Sequence, residues 1–365
     1  MPRNYDFVSL PQQKPDRVNI QGKEGKDKFG HDKYQLNTQR FSGKLFLDLT
    51  VVSPLTVNSG ITVMGSDLAQ QTLDATSAKY VATISLIQSS VQQNQRLIIP
   101  GSSLKGVVRS IYEAITRSCV CKTNAPNAKV PDGYSECKDI SQLCPACVTF
   151  GAMSWLGLVH FHDAKYDPDN DKPGFQTGLI PPLFSPQPDA VDLETREEIY
   201  YDKNNKIRGR KFYPHSYEEE VKPTIRIQQA ETGKKFITYV NYANLTKSQL
   251  GTLLIALGQD PENRLGLKIG SGKAVGMGTM RIDVVKIEQL NINRYLSYTA
   301  NSSILEGEKL KTFILDAIKS AKPQPQATPA KNQLNKPVVK SANQPLVQLE
   351  QLQKIKALLG LAKNT

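Results

Sequence analysis

No run of about 18 apolar residues occurs anywhere in the chain, so no membrane-spanning helix is expected. The first residues, MPRNYDFVSLPQQKPDR, lack the apolar core of a secretory leader, and a cytoplasmic location is the expectation. Histidine is scarce, with four in 365 residues, and there is one tryptophan. Acid is scarcer than base: 34 Asp and Glu stand against 46 Lys and Arg, a formal net charge of +12. From Ala75 through Tyr112, and again from Gly266 to Ile282, there is no Asp or Glu at all. Such a surplus favours a polyanionic partner, nucleic acid first, because neutralised phosphates release counterions on binding. With 39% hydrophobic and 22% charged residues, the composition is that of a globular chain able to bury a core.

What is present falls into blocks. Residues 1–40 are polar and basic and read as an extended arm. The run KLFLDLTVVSPLTV alternates like a half-buried strand, with Leu45, Leu47 and Leu49 facing one way, and KYVATISLIQ reads as a second β-like run. In RLIIPGSSLKGVVRSIYEAI a short strand stops at Pro100 and Gly101, and Ser102 or Ser103 offers a helix N-cap. Leu104, Val107, Val108, Ile111, Tyr112 and Ile115 then recur at helical spacing, leaving Lys105 and Arg109 on the other face. Residues 117–150 hold every cysteine, and the Pro- and charge-rich segment 163–222 reads as a long excursion. A strand, an N-cap near Thr246 and an amphipathic helix follow, then the glycine-rich loop and the strand TMRIDVVKI. A helix is expected over about 303–321 and a disordered linker over 322–345, which has five prolines, four lysines and no acid. Residues 346–365 carry leucines at helical spacing, either a docking helix or a frayed tail.

The loop GLKIGSGKAVGMG packs five glycines into thirteen residues beside a lysine, yet it fails the nucleotide templates. A phosphate loop needs Gly, four residues, then Gly-Lys-Ser/Thr; Leu267 and Ala274 occupy two of those places. In GSSLKGV the glycine spacing fits but Val107 replaces the lysine, and Val275 stands at the third glycine of a dinucleotide fingerprint. An ATPase or dehydrogenase is therefore disfavoured. What both loops share is backbone N–H beside a lysine, which in PGSSLKG also opens a helix whose N-terminus attracts phosphate. Two such loops in one basic chain point to a nucleic-acid backbone.

Cys119, Cys121, Cys137, Cys144 and Cys147 crowd into 29 residues. Disulfides are not expected in a cytoplasmic chain. Cys144-Pro-Ala-Cys147 is a knuckle that places two thiolates on one ion; with Cys137 and either Cys121 or Cys119 it completes a four-sulfur zinc set, closed and hence structural. His160 and His162 share one face of an expected strand, more in keeping with a polar face than with a metal site.

IPGSSLKGVVR, CPACVTFG, RGRKFYPH, the segment around NLTKSQLGTLLIALG, and GSGKAVGMG, in that order, resemble the RAMP superfamily of CRISPR-associated proteins. The nearest likeness is to the seventh-family backbone subunits of type III (III-D-like) effectors, over about residues 41–290. The resemblance implies an α+β, ferredoxin-like (RRM-type) core over residues 41–300 with a zinc-binding insertion at 117–150 and a thumb-like insertion at 163–222. It implies guide CRISPR RNA, target RNA and other effector subunits as partners, and no membrane. Carried over by position, it nominates Ser102, Ser103, Lys105 and Arg109, with Gly270, Gly272 and Lys273, for guide phosphates, and Arg208, Arg210 and Lys211 for RNA at the thumb. Active relatives cut target RNA with an acid in the loop after the first strand, assisted by Mg²⁺ or Mn²⁺. Asp67 and Asp74 are the candidates here, without the usual Asp followed closely by Pro.

The same residues are compatible with two other functions. One is a stand-alone, metal-independent endoribonuclease that processes guide precursors, with His31 or His215 as its base. The other is a zinc-bearing RNA chaperone.

Overall fold

In RFSGKLFLDLTV the apolar residues alternate, and the run forms a twelve-residue strand with Leu45, Leu47, Leu49 and Val51 buried. Lys44, Phe46 and Asp48 point to the opposite side, as the period of two requires. The computed structural model describes residues 4–20, 40–71, 75–167, 175–183, 187, 190–192, 198–216, 222–290, 302–323 and 344–362. Asp74 and His31 lie outside the described residues.

The chain is mixed α+β, built on a nine-stranded sheet. Its main elements are β1 (Arg40–Val51), β2 (Arg96–Ile99), α1 (Gly101–Ile115), β3 (Ala164–Tyr166), β4 (Lys235–Thr246), α2 (Lys247–Ala256) and β5 (Thr279–Leu290). The order across the sheet is β5-β1-β4-β3-β2, every neighbouring pair antiparallel. Helices α1 and α2 pack on each other and bury the leucine side of β1. A four-stranded sheet lies apart from it, made of Asn58–Val63, Ile87–Ser90, Ile225–Gln229 and Gln176–Ile180.

Local signals explain most boundaries. Thr246 caps α2 by accepting from the Gln249 amide at 3.2 Å, while the Gln249 side chain accepts from the Thr246 amide at 2.9 Å. Helix α1 departs from expectation: it starts at Gly101 with Pro100 at the N-cap position, and neither Ser102 nor Ser103 caps it. Pro100 already holds an extended ψ of 135°, and Asp163 Oδ1 accepts from the Gly101 amide at 2.8 Å, so the orphan donor is satisfied by the residue that precedes β3. The run KYVATISLIQ is also not one strand. Ala75–Ala82 is helical, with Val81 buried and Tyr80 exposed, and only Ile87–Ser90 is extended. Tertiary packing overrode a short β-branched alternation there.

The outlying segments are tied to this core. Asp6–Val8 pairs with Arg210–Phe212, and Tyr134 Oη donates to the carbonyl of Pro11 at 2.6 Å, so the described N-terminal residues are held by segments from two later parts of the chain. The excursion begins later than residue 163, because Ala164–Tyr166 belongs to the main sheet. Helix α3 (Gly307–Ala321) packs on α2. Helix α4 (Leu349–Leu359) buries Leu352, Ile355 and Leu359, and the Gly266 amide donates to the Leu359 carbonyl at 2.8 Å. The C-terminal leucines therefore dock on their own chain. Among the described residues no helix is long and apolar enough to cross a membrane.

Candidate functional site

The cysteine cluster is the most compact chemistry in the molecule. The sulfurs of Cys119, Cys137, Cys144 and Cys147 all lie within 4.8 Å of one another, and all four residues are buried. Cys119–Cys147 is 3.7 Å and Cys119–Cys144 is 3.6 Å. Zinc–sulfur bonds of about 2.3 Å imply a tetrahedral edge of about 3.8 Å, so the four sulfurs fit a zinc-sized ion. Hydrogen bonds among the sulfurs, more than burial, push Cys119 and Cys147 above the ordinary thiol range and hold Cys144 well below it. Four thiolates cannot share this space without a cation. The Cys144 amide donates to Cys137 Sγ at 3.4 Å, an N–H···S contact that suits a charged sulfur. Cys121, expected as the fourth ligand with Cys119 as its alternative, is not in the set: its thiol faces Glu136 Oε1 at 3.5 Å, and Cys119 takes the place.

Two arginines expected at RNA are drawn into this centre instead. Arg109 donates from Nε to Glu113 Oε1 at 2.8 Å, from Nη1 to the Gly151 carbonyl at 3.0 Å and from Nη2 to Cys147 Sγ at 3.4 Å. Arg210 is 9% exposed; its Nη2 donates to the carbonyls of Ser118 and Cys119, each at 2.9 Å. Its Nε lies 3.8 Å from Glu113 Oε2. Burial drives the Glu113 carboxyl above the usual carboxylate range, against the pull of Arg210 and Arg109. One buried carboxylate thus serves two guanidiniums, and neither is presented to a ligand.

Arg208 and Lys211, also expected at RNA, are engaged as well. Arg208 donates from Nε to the Tyr201 carbonyl at 2.9 Å, and from Nη2 to the Glu198 carbonyl at 2.9 Å. Lys211 Nζ stands 3.6 Å from the Tyr5 ring centre and 3.2 Å from Tyr200 Oη.

In the glycine-rich loop the bare backbone is needed first by the loop itself. Gly270 has φ +81°, and a Cβ there would fall 2.1 Å from the Thr56 carbonyl; at Gly278, φ +79°, it would fall 2.0 Å from the Ile269 carbonyl. Gly272 (φ +71°) opens the short 3₁₀ turn Lys273–Val275. Lys273 is half-buried, and desolvation lowers its pKa. Sequence reasoning missed Lys268, whose Nζ donates to the carbonyls of Gly276 and Met277, each at 2.9 Å, and to Thr279 Oγ1 at 3.2 Å. Burial, then the charge of Lys273, brings its pKa down to about 8. Nothing in the composition of GLKIG distinguishes this brace from the loop's other lysine. His215 is half-buried, with Nδ1 3.1 Å from Thr279 Oγ1.

Helix α1 packs on the strand Leu267–Lys268 that leads into this loop, while its first residue, Gly101, lies against Phe161 and His162. Ser102 and Gly106 are exposed, and Ser103 and Lys105 half-buried. Burial, and secondarily the charge of Arg109, lowers the Lys105 pKa. Asp67 is exposed on the short helix Gly65–Leu68. Among the described residues it joins no group of three or more metal-ligating side chains.

A family model described as the RAMP superfamily matches residues 48–281, well over half of the 365-residue chain. The chain belongs to the RAMP superfamily. The matched span of this RAMP protein runs from within β1 to the start of β5, and contains α1, the four-cysteine cluster and the glycine-rich loop. No curated protein matches the chain.

Proposed function

We propose that this RAMP protein is a guide-RNA-binding backbone subunit of a type III CRISPR effector that recognises complementary target RNA. Membership of the superfamily suggests a CRISPR-associated, RNA-binding role; the type III assignment rests on the motifs and their order. The observation that carries it is that GSSLKG, which opens α1, and the glycine loop GSGKAVGMG both lie within the matched RAMP span and on one packed core. A helix opening and a glycine loop, each with a lysine, suit a phosphate backbone better than a single nucleotide. We read the antiparallel order β5-β1-β4-β3, with α1 and α2 as the two crossovers, as a ferredoxin-like core.

In this reading Ser102, Ser103, Lys105, Gly270, Gly272 and Lys273 hold guide phosphates, and Arg208 and Lys211 lie at the thumb. A zinc ion held by Cys119, Cys137, Cys144 and Cys147 would brace the knuckle without an open coordination position. Asp67 is the candidate among the described residues for a Mg²⁺- or Mn²⁺-dependent cut of target RNA. The processing-enzyme alternative draws no support from His215, which is half-buried and engaged by Thr279.

The test is purification of the chain with its guide and partner subunits, followed by incubation with complementary RNA and Mn²⁺. Copurifying guide supports the reading, and cleavage lost in D67N would assign Asp67. Metal-independent cutting of a repeat-containing precursor by the isolated chain would overturn it.

A further inference from the structure

The side of the main sheet opposite α1 and α2 carries a feature that the phosphate-binding motifs do not use. Across neighbouring strands the register sets Lys286, Phe46 and Tyr239 opposite one another. Lys286 Nζ is 4.2 Å from the Phe46 ring centre, and the Phe46 and Tyr239 rings are 6.1 Å apart. The His162 ring stacks on Tyr239 at 4.0 Å with 25° between planes. Asn241 Nδ2 and His162 Nε2, 3.0 Å apart, hold that imidazole in place. The result is a row of flat π surfaces crossing the strands, set in an open groove of about 1300 Å³.

The surroundings of the row say what it fits. Phe46 and Tyr239 are only half-buried, and the core lies on the other side of the same strands. Lys44, Arg96, Lys165 and Lys286 bring positive charge to the face or its rim. Of the three acids lining the groove, Asp163 is committed to the Gly101 amide, Glu306 comes from the segment that leads into α3, and Asp48 in the floor is an acceptor for a base-edge N–H. Aromatic faces interleaved with cations are the surface on which unpaired bases stack while their phosphates meet lysines.

We propose that this sheet face is a base-stacking platform for single-stranded RNA, with Tyr239 and Phe46 as its stacking surfaces and His162 as the backing of Tyr239. The proposal rests on the RNA-binding reading above but concerns different side chains and a different kind of contact. Phosphate contacts set the salt dependence of binding; stacking adds affinity that depends on the presence of bases.

The experiment compares a fluorescent oligoadenylate with an abasic strand of equal length by anisotropy, at several salt concentrations. Wild type is expected to prefer the oligoadenylate. Y239L and F46L keep apolar bulk but remove the π face. Each should lower oligoadenylate affinity roughly 5- to 150-fold, leave abasic binding and the salt slope unchanged, and keep the wild-type melt. Y239W should retain the preference. If Y239L and F46L bind as wild type while K105A and K273A weaken binding, the platform is wrong and the RNA-binding reading stands. If wild type binds neither strand, both fall. If the variants change only the sedimentation behaviour of the chain, the face joins copies of the protein and the proposal is overturned.

Discussion

Arg109 Nη2 donates a hydrogen bond to Cys147 Sγ across 3.4 Å. The helix that opens at GSSLKG is thereby tied to the cysteine centre, with Glu113 and Arg210 completing the link. GSSLKG and Glu113 lie toward opposite ends of that one helix. On the proposed reading, disturbance of the cysteine cluster should therefore reach the end of α1 assigned to phosphate.

Zinc content distinguishes the two possible fourth ligands. Purified protein should carry about one zinc per chain, held by four thiolates. C119S and C144S should lose it, with a lower melting temperature and weaker RNA binding, whereas C121S should keep it. Elemental analysis beside thermal melts decides the matter, and zinc lost from C121S alone would reverse the ligand assignment.

Glu113 is the shared counter-ion of two arginines, one of them 9% exposed. Removing one partner of a buried charge network leaves the others uncompensated, at a cost of about 3–5 kcal/mol. E113Q should show a loss of that order in denaturant unfolding, read from the midpoint at constant slope. An unchanged midpoint would mean that the network is already hydrated.

Lys105 and Lys273 are the loop lysines assigned to phosphates. K105A or K273A should weaken binding to all single-stranded sequences about equally, and each should reduce the salt slope by roughly one. R109A should instead lower stability, because its guanidinium is spent on Glu113, Gly151 and Cys147. A slope unchanged in K105A and K273A rejects the phosphate assignment.

Lys268 should leave a mark on stability as a function of pH. Its folded pKa, about 8, lies below the ordinary 10.5. Between these values the unfolded chain holds a proton that the native chain has lost, so stability rises with pH. The contribution is complete above 10.5 and disappears as pH falls through about 8. Its slope cannot exceed about 1.4 kcal/mol per pH unit. Wild type minus K268M, measured by denaturant unfolding from pH 7 to 10, should show this rise; a flat difference would contradict it.

Local pattern carried much of this protein. Alternation in KLFLDLTV, helical spacing from Leu104 to Ile115 and the Thr246 cap all act within one turn or one strand, so they are readable without the fold. The crowding of cysteines and the failure of both nucleotide templates are likewise properties of spacing. The pairing of Arg109 with Glu113 obeys the same local rule, residues four apart on a helix being neighbours, yet the basic face of α1 pointed to phosphate instead. Tertiary structure alone chose Cys119 over Cys121, because candidates two residues apart are ranked only by the path of the chain around them. It also sent Arg210 inward, gave Lys268 its carbonyl partners, and set Phe46 beside Tyr239 through the register of strands almost two hundred residues apart in sequence. Charge and periodicity specify which residues suit RNA or metal; long-range packing decides which of them meet.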